Sequence, residues 1–226
     1  VCGLIGLILS KLDRPVIITG IPRSRTSLVA GIFKICGLYM GDICGPTKYN
    51  VKGQFEYPTL IKCIEKEYLI RLGYCPLGQK LPLPPNDIRI DKDRKNKLLK
   101  LFNIGENVIY GWKDCKSCLT FNSWNYAFPN AIWIIVTRNP DSIINSCLNT
   151  NFMRTYNSYK DWKKWLDQYL IKLDYVKSNA KNWYEINTDE LINHNFADIE
   201  YIIKKLNLNW NYDLVNDFLD PTISKY

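Results

Sequence analysis

Two kinds of hydrophobic pattern alternate along the chain. One is short and continuous: Val16-Ile17-Ile18-Thr19, Asn107 to Trp112, Ala131 to Thr137, and Trp183 to Ile186. Runs rich in β-branched and aromatic residues, bounded by turn formers, predict strands, the first two of them buried, the third the strongest and the fourth short. The other pattern recurs at three- and four-residue spacing. Leu28, Val29, Ile32, Phe33 and Ile35 predict a helix over 26–38 that ends at Gly37. Leu60, Ile61, Ile64, Tyr68 and Leu69 predict one from Pro58 to Leu72. Further helices are expected over 117–128, from Pro140 through Leu148, over 159–176, over 189–206 and around 214–219. The stripe Trp162, Trp165, Leu166, Tyr169, Leu170 and Leu173 reads as core, not as a platform for stacking bases.

Between these elements lie a long Gly-, Pro- and Asn-rich loop over 41–53 and a proline-rich extended stretch from Leu81 to Asn86. The charge run Asp91-Lys92-Asp93-Arg94-Lys95 reads as solvated. Strand following helix throughout implies one three-layer α/β domain spanning residues 1–226: a central parallel sheet flanked by helices on both faces. Residues 1–14 form an N-terminal extension. Its apolar part, Val1 to Ser10, is too short to span a bilayer and lacks a basic leader. The sequence does not begin with Met, so it is read as a chain that can continue upstream.

Parallel sheets of this kind bind ligands beyond the C-terminal ends of their strands. The first strand delivers Arg23 there, the second Lys113 and the third Arg138, three cations suited to a polyanion. The first of these junctions is the richest. Gly20 and Pro22 stop the strand, a helix begins near Thr26, and the loop between them carries Arg23, Ser24, Arg25, Thr26 and Ser27. A strand–loop–helix junction aims backbone N–H groups and a helix N-terminus at one point, which favours phosphate. A Walker A loop needs a second Gly and then Lys; those places hold Arg25 and Thr26, which argues against a nucleoside triphosphatase. At the third junction, Ser146 follows Arg138 by eight residues, about two helical turns. Together they could clamp one more phosphate, although a plain βα turn with an exposed arginine accounts for the same residues.

Composition adds limits. At 46% hydrophobic and 23% charged residues the chain is ordinary globular material, not disordered. A formal charge of +8 suits an anionic partner, whether nucleotide, nucleic acid, sulfated glycan or membrane surface, without choosing among them. Eight cysteines at irregular spacing, one C-x-x-C at Cys115 and Cys118, and a single histidine, His194, do not make a zinc site. They read as thiols in a reducing cytoplasm, and no metal is expected. From the residues alone two further classes stay open. A P-loop-type nucleoside or nucleotide kinase would need a loop lysine that is missing; a non-catalytic basic nucleic-acid-binding module would show its charge away from this cleft.

Pro22, Arg23, Ser24, Thr26 and Ser27 resemble the 5′-phosphosulfate loop of sulfotransferases, roughly P-[RK]-S-G-T-[ST], with Arg25 standing where that family usually has Gly. Three more runs are similar to the family in the same order. They are Asn50-Val51-Lys52-Gly53-Gln54-Phe55-Glu56, Gly111-Trp112-Lys113-Asp114 with Cys115 in place of Pro, and Arg138 with Ser146. The likeness spans residues 16–146 and is greatest to bacterial and phage-encoded members, which places the protein in a cytoplasm, the host's if viral. The resemblance implies a P-loop-like sulfotransferase architecture. It also implies transfer of a sulfuryl group from 3′-phosphoadenosine 5′-phosphosulfate to a hydroxyl or amine, with no metal and no nucleic-acid partner. The acceptor, whether small molecule, glycan or peptide, and the oligomeric state stay open.

On that resemblance Arg23 stabilises the leaving phosphate, Ser24, Arg25, Thr26 and Ser27 belong to the 5′-phosphate loop, and Arg138 and Ser146 hold the 3′-phosphate. Tyr184 is expected near the adenine. The proton acceptor is expected to be a carboxylate, because His194 lies far from every donor-binding run. Glu56 is the choice, with Lys113 as the other catalytic group. Beside Phe55 and Tyr57 its pKa should rise toward neutrality. The plainer role for Glu56 is to complement the N-terminus of the helix at residue 58.

Overall fold

In a computed structural model the described residues are 13–47, 50–81, 91–102 and 108–219. The extension before Asp13, the proline-rich stretch beyond Leu81 and the start of the predicted strand at Asn107 lie outside them.

Four strands form one parallel sheet: β1 (Val16–Gly20), β2 (Gly111–Lys113), β3 (Ile132–Thr137) and β4 (Asn182–Asn187), in the order β2-β1-β3-β4. Val16 pairs with Gly111 on one side and Ile132 on the other, and Val136 pairs with Ile186. The alternation of a strand sends its residues to opposite faces. Ile17, Trp112, Trp133 and Ile135 enter one core, and Val16, Ile18, Ile134 and Val136 the other. Helix α1 (Thr26–Ile35) covers the second face. So do two C-terminal helices, residues Ala197–Lys205 and Tyr212–Phe218.

The first face carries the other helices. Residues Pro58–Leu60, Ile61–Lys66 and Glu67–Arg71 wind continuously, the middle segment as a π-helix. They are joined by Arg94–Phe102, Phe121–Ala127, α2 (Pro140–Leu148) and the long helix Tyr159–Asn179. The aromatic stripe of that last helix is core as read at Trp162, Trp165 and Tyr169, at most 1% exposed, with Leu166 and Leu173; Leu170, counted with them, is exposed.

The structure changes three local expectations. The helix expected over 117–128 begins as a 3-10 turn, Cys115–Thr120, because the Asp114 side chain caps the Lys116 amide at 3.0 Å. The helix expected over 189–206 is two, Thr188–Ile192 and Ala197–Lys205. The break is at His194, whose φ of 57° lets its amide return to the Leu191 carbonyl at 3.0 Å. The charge run is not wholly solvated. Arg94 is 0% exposed; its Nη2 lies 2.6 Å from Glu65 Oε2, and its guanidinium lies 3.7 Å from the Trp124 ring centroid and 4.7 Å from that of Tyr68. Glu65 also accepts from Trp124 Nε1 at 2.6 Å, Ser117 Oγ at 3.0 Å and Thr120 Oγ1 at 3.0 Å. A five-residue window of charges cannot show that one of them has a partner twenty-nine residues back.

Candidate active site

The sheet order makes β1 central, so its C-terminal loop opens between the ends of its two neighbours. Gly20 is required there: a Cβ on it would meet the Val136 carbonyl oxygen at 2.5 Å. Beyond it the loop folds with Ser24 N donating to Ile21 O at 3.0 Å, and with Arg23 at φ 77° and Arg25 at φ 63°. Left-handed arginines cost about 1–3 kcal/mol each. Arg25 therefore holds a left-handed conformation that favours Gly, and it serves as N-cap residue of α1 without a side-chain cap bond. Among the described residues the amides of Arg25, Thr26 and Ser27 make no backbone hydrogen bond. These are the orphan donors of a helix start.

The third strand brings its arginine back onto this loop. Arg138 Nη1 donates to the Arg23 carbonyl at 3.0 Å. Asn139 caps α2 by accepting from the Ser142 amide at 3.0 Å, and Pro140 occupies the first turn. Two turns on, Ser146 Oγ accepts from Arg23 Nε at 2.9 Å, so the two loops meet across more than a hundred residues of sequence. The far side of the Arg23 guanidinium lies 5.6 Å from the centroid of the Phe152 ring.

The electrostatics of this edge are out of balance. Burial lowers the Arg23 guanidinium below its ordinary value. It also lowers that of Arg25, against the opposing pull of Asp189. Burial first, then the like charges of Arg25 and Arg23, push Arg138 down to about 10. All three guanidiniums stay charged at neutral pH, so the cost appears as attraction for an anion. Asp189 is the carboxylate that pairs with Arg25, 2.8 Å from its Nη1. Ser24 Oγ, Arg25 Nε and Arg138 Nε are buried and have no hydrogen-bond partner among the described residues. A group bearing phosphates fits such a donor set.

The second strand contributes an adjoining pair. Lys113 is 4% exposed, and its Nζ lies 2.7 Å from Glu56 Oε1. The Gln54 carbonyl joins this pair to the loop, accepting from Ser27 Oγ at 3.2 Å and from Lys113 Nζ at 3.4 Å. Thr26 Oγ1 lies 3.1 Å from Cys115 Sγ. The expected upward shift of Glu56 is not found. Burial alone would raise its carboxyl, but Lys113, Lys116 and Lys66 outweigh burial and hold it below the ordinary 4.5. Lys113 is correspondingly raised: burial opposes its charge and Glu56 more than restores it. Nor does Glu56 cap the helix at residue 58, where Tyr57 is the N-cap residue and no side-chain cap bond forms.

The nominated residues thus gather at one sheet edge, with one exception. Tyr184 pairs with Ile134 in the middle of β4, four residues and ~13 Å short of Arg138. Its ring packs toward the second core, 5.5 Å from Lys205 Nζ. The sequence reading missed Thr188 and Asp189. Thr188 Oγ1 lies 3.2 Å from the Ser24 carbonyl and 3.0 Å from that of Thr137, stitching the two loops together. Both residues follow β4 directly, so the rule that ligands meet strand C-termini could have found them.

His194, set aside in the sequence reading, is exposed and turned to Asn216, 3.0 Å away. The seven described cysteines are free thiols. No described helix is long and apolar enough to cross a membrane.

No family model matches the chain. No curated protein matches it. A solved structure does: the crystal structure of a sulfotransferase from Mycobacterium tuberculosis matches with a TM-score of 0.53 and 13% identity. The match covers 91% of this chain and 70% of the other. At that identity the likeness establishes the fold, a sulfotransferase-like α/β architecture, and leaves the chemistry to the site.

Proposed function

We propose that the chain is a sulfotransferase, moving a sulfuryl group from 3′-phosphoadenosine 5′-phosphosulfate to a hydroxyl or amine of an acceptor. The observation that carries this reading is the convergence of Arg23, Arg25, Arg138 and Ser146 around buried donors that have no partner among the described residues. Its support from outside the site is the sulfotransferase-like fold.

The loop amides, with Arg23, Ser24, Thr26 and Ser27, would hold the 5′-phosphate; Arg138 and Ser146 would hold the 3′-phosphate. The donor supplies a sulfuryl group activated by its bond to a phosphate oxygen, and that bond breaks as the acceptor's oxygen or nitrogen bonds to sulfur. Arg23 and Lys113 offset the charge left on the phosphate. Glu56 receives the acceptor's proton. Its depressed pKa keeps it in the accepting form, and the same depression makes it a weak base. Rate enhancement therefore rests mainly on positioning and fixed charge. The sulfuryl group carries less charge than a phosphoryl dianion, so guanidinium and ammonium groups can serve where kinases use Mg²⁺.

Retention on immobilised adenosine 3′,5′-bisphosphate but not on ATP-agarose, followed by transfer of radiolabelled sulfate to a panel of hydroxyl and amine acceptors, tests the reading. Equal retention on both matrices would point to a kinase-like nucleotide site. Retention on neither would overturn the proposal.

A further inference from the structure

Asp189 carries a role that the reaction does not require of it. Three guanidiniums, those of Arg23, Arg25 and Arg138, share this edge, and among the described residues the carboxylate paired with one of them, Arg25, is Asp189, whose charge also reaches Arg138. Two positive charges are left over, which is the charge of one phosphate dianion. One Asp189 oxygen lies 2.8 Å from Arg25 Nη1; the other accepts from the Asn139 amide at 2.6 Å, where α2 begins. A carboxylate bridging a guanidinium and the amide of a helix N-cap residue is bound much as a phosphate would be.

Resting on the sulfotransfer reading, we propose that Asp189 is an internal stand-in anion. It occupies Arg25 in the free protein and is displaced from it when the phosphates of the nucleotide arrive. Asp189 thereby sets how tightly the site holds bisphosphorylated nucleotide, and Arg25 becomes a ligand that the loop's usual glycine could not supply.

The two partners are built unequally, in the direction this exchange needs. The Arg25 side chain is 12% exposed and the Asp189 side chain 35%, so a displaced carboxylate regains water while the guanidinium cannot. Arg25 also keeps a buried Nε without a partner among the described residues, as does the Nε of Arg138. The backbone of Asp189 is pinned, its amide donating to Asn187 Oδ1 at 2.9 Å, so the carboxylate cannot follow Arg25 onto a ligand. A phosphate carries nearly twice the charge of a carboxylate and more acceptor oxygens, and therefore wins the competition.

A plain structural ion pair predicts that losing either partner loosens the loop and weakens binding. Displacement predicts opposite signs. Calorimetric titration of the full chain at fixed ionic strength, with adenosine 3′,5′-bisphosphate and with inorganic pyrophosphate, separates them. Asp189→Asn should tighten both ligands by about five- to tenfold and Arg25→Gly should weaken both by about tenfold, and in the double variant the gain from Asp189→Asn should shrink to under about twofold. Weakening by both single variants overturns the inference. Should Asp189→Asn unfold, the wild-type protein still decides: the carboxyl carbon resonance of Asp189 must move on saturation with bisphosphate, and an unmoved resonance overturns the inference. The variant pattern with pyrophosphate, without preference for bisphosphate over ATP, would sink the sulfotransfer reading and leave Asp189 its role. No binding of either ligand sinks both.

Discussion

A buried arginine under the sheet and a half-buried group of arginines at its edge are built oppositely. Arg94 has one carboxylate for its one charge, lies 3.7 Å from the Trp124 ring centroid, and pairs with a Glu65 that receives four donors in all. At the edge three guanidiniums, those of Arg23, Arg25 and Arg138, face Asp189, which pairs with Arg25. Both groups keep buried donors without a partner among the described residues, Arg94 Nε and Nη1 included, so what separates them is charge: the first arrangement is balanced. The second is unfinished, and the deficit is an anion. Burial of a charge, or of an unpartnered donor, therefore does not mark a functional site by itself; the balance of charge around it does.

Glu56 and Lys113 test which side of this contrast a balanced pair can belong to. They are paired like Glu65 and Arg94, yet Glu56 is half-buried at the open edge. Glu56→Gln should lower turnover by about 10²–10⁴-fold while leaving bisphosphate affinity and the unfolding midpoint nearly unchanged. Wild-type turnover in that variant would move the pair to the structural class and make Lys113 the group to replace.

The closed site should answer in stability alone. Glu65→Ala strands a fully buried guanidinium, and a loss of about 3–5 kcal/mol in urea unfolding is expected. The fraction that stays folded should bind bisphosphate as the wild type does. Weakened binding per folded molecule would show that the two sites are not separate.

The open site should answer in binding alone. Arg138→Ala should weaken the 3′-phosphorylated nucleotide by about 1.5–3 kcal/mol and spare its 3′-dephospho analogue, since one charge-assisted contact is lost. It should not lower the melting temperature, because the residue is held against burial and like charge. Equal weakening of both nucleotides by calorimetry would place the 3′-phosphate elsewhere.

The smallest expected effect is in acid. Burial alone would raise the Glu65 carboxyl, but Arg94 and the donors from Trp124 and Ser117 hold it below the ordinary 4.5. A depressed folded-state pKa contributes stability that is present above about 4.5 and lost as pH falls through the folded value. Glu65→Gln should therefore flatten the stability curve below pH ~4.5 relative to wild type. Parallel curves for the two proteins would mean that Glu65 is not held ionised.

Much of the edge was legible along the chain because its parts are local. A strand, a glycine and a run of donors before a helix announce an anion loop, and Ser146 follows Arg138 at a spacing that helical geometry converts into a common face. The less legible parts are those whose partner is distant. Glu56 promised a raised pKa from its aromatic neighbours in sequence; the lysine that lowers it is fifty-seven residues on. Arg94 looked solvated among its neighbours in the charge run.

By itself, the sequence determined the alternation of strands and helices, the two faces of each buried strand and the position of the donor-rich loop after β1. These depend on periods of two and 3.6 residues and on the conformational limits of Gly and Pro, all of which act within a few residues. Only the tertiary structure decided that β1 lies between β2 and β3, that Arg25 meets Asp189 across the sheet edge, that Tyr184 stays mid-strand, and which arginine is balanced and which is not. Charge balance is a sum over neighbours in space, and burial strengthens each member of that sum. Where the neighbours come from distant segments, the sum does not exist until the chain has folded.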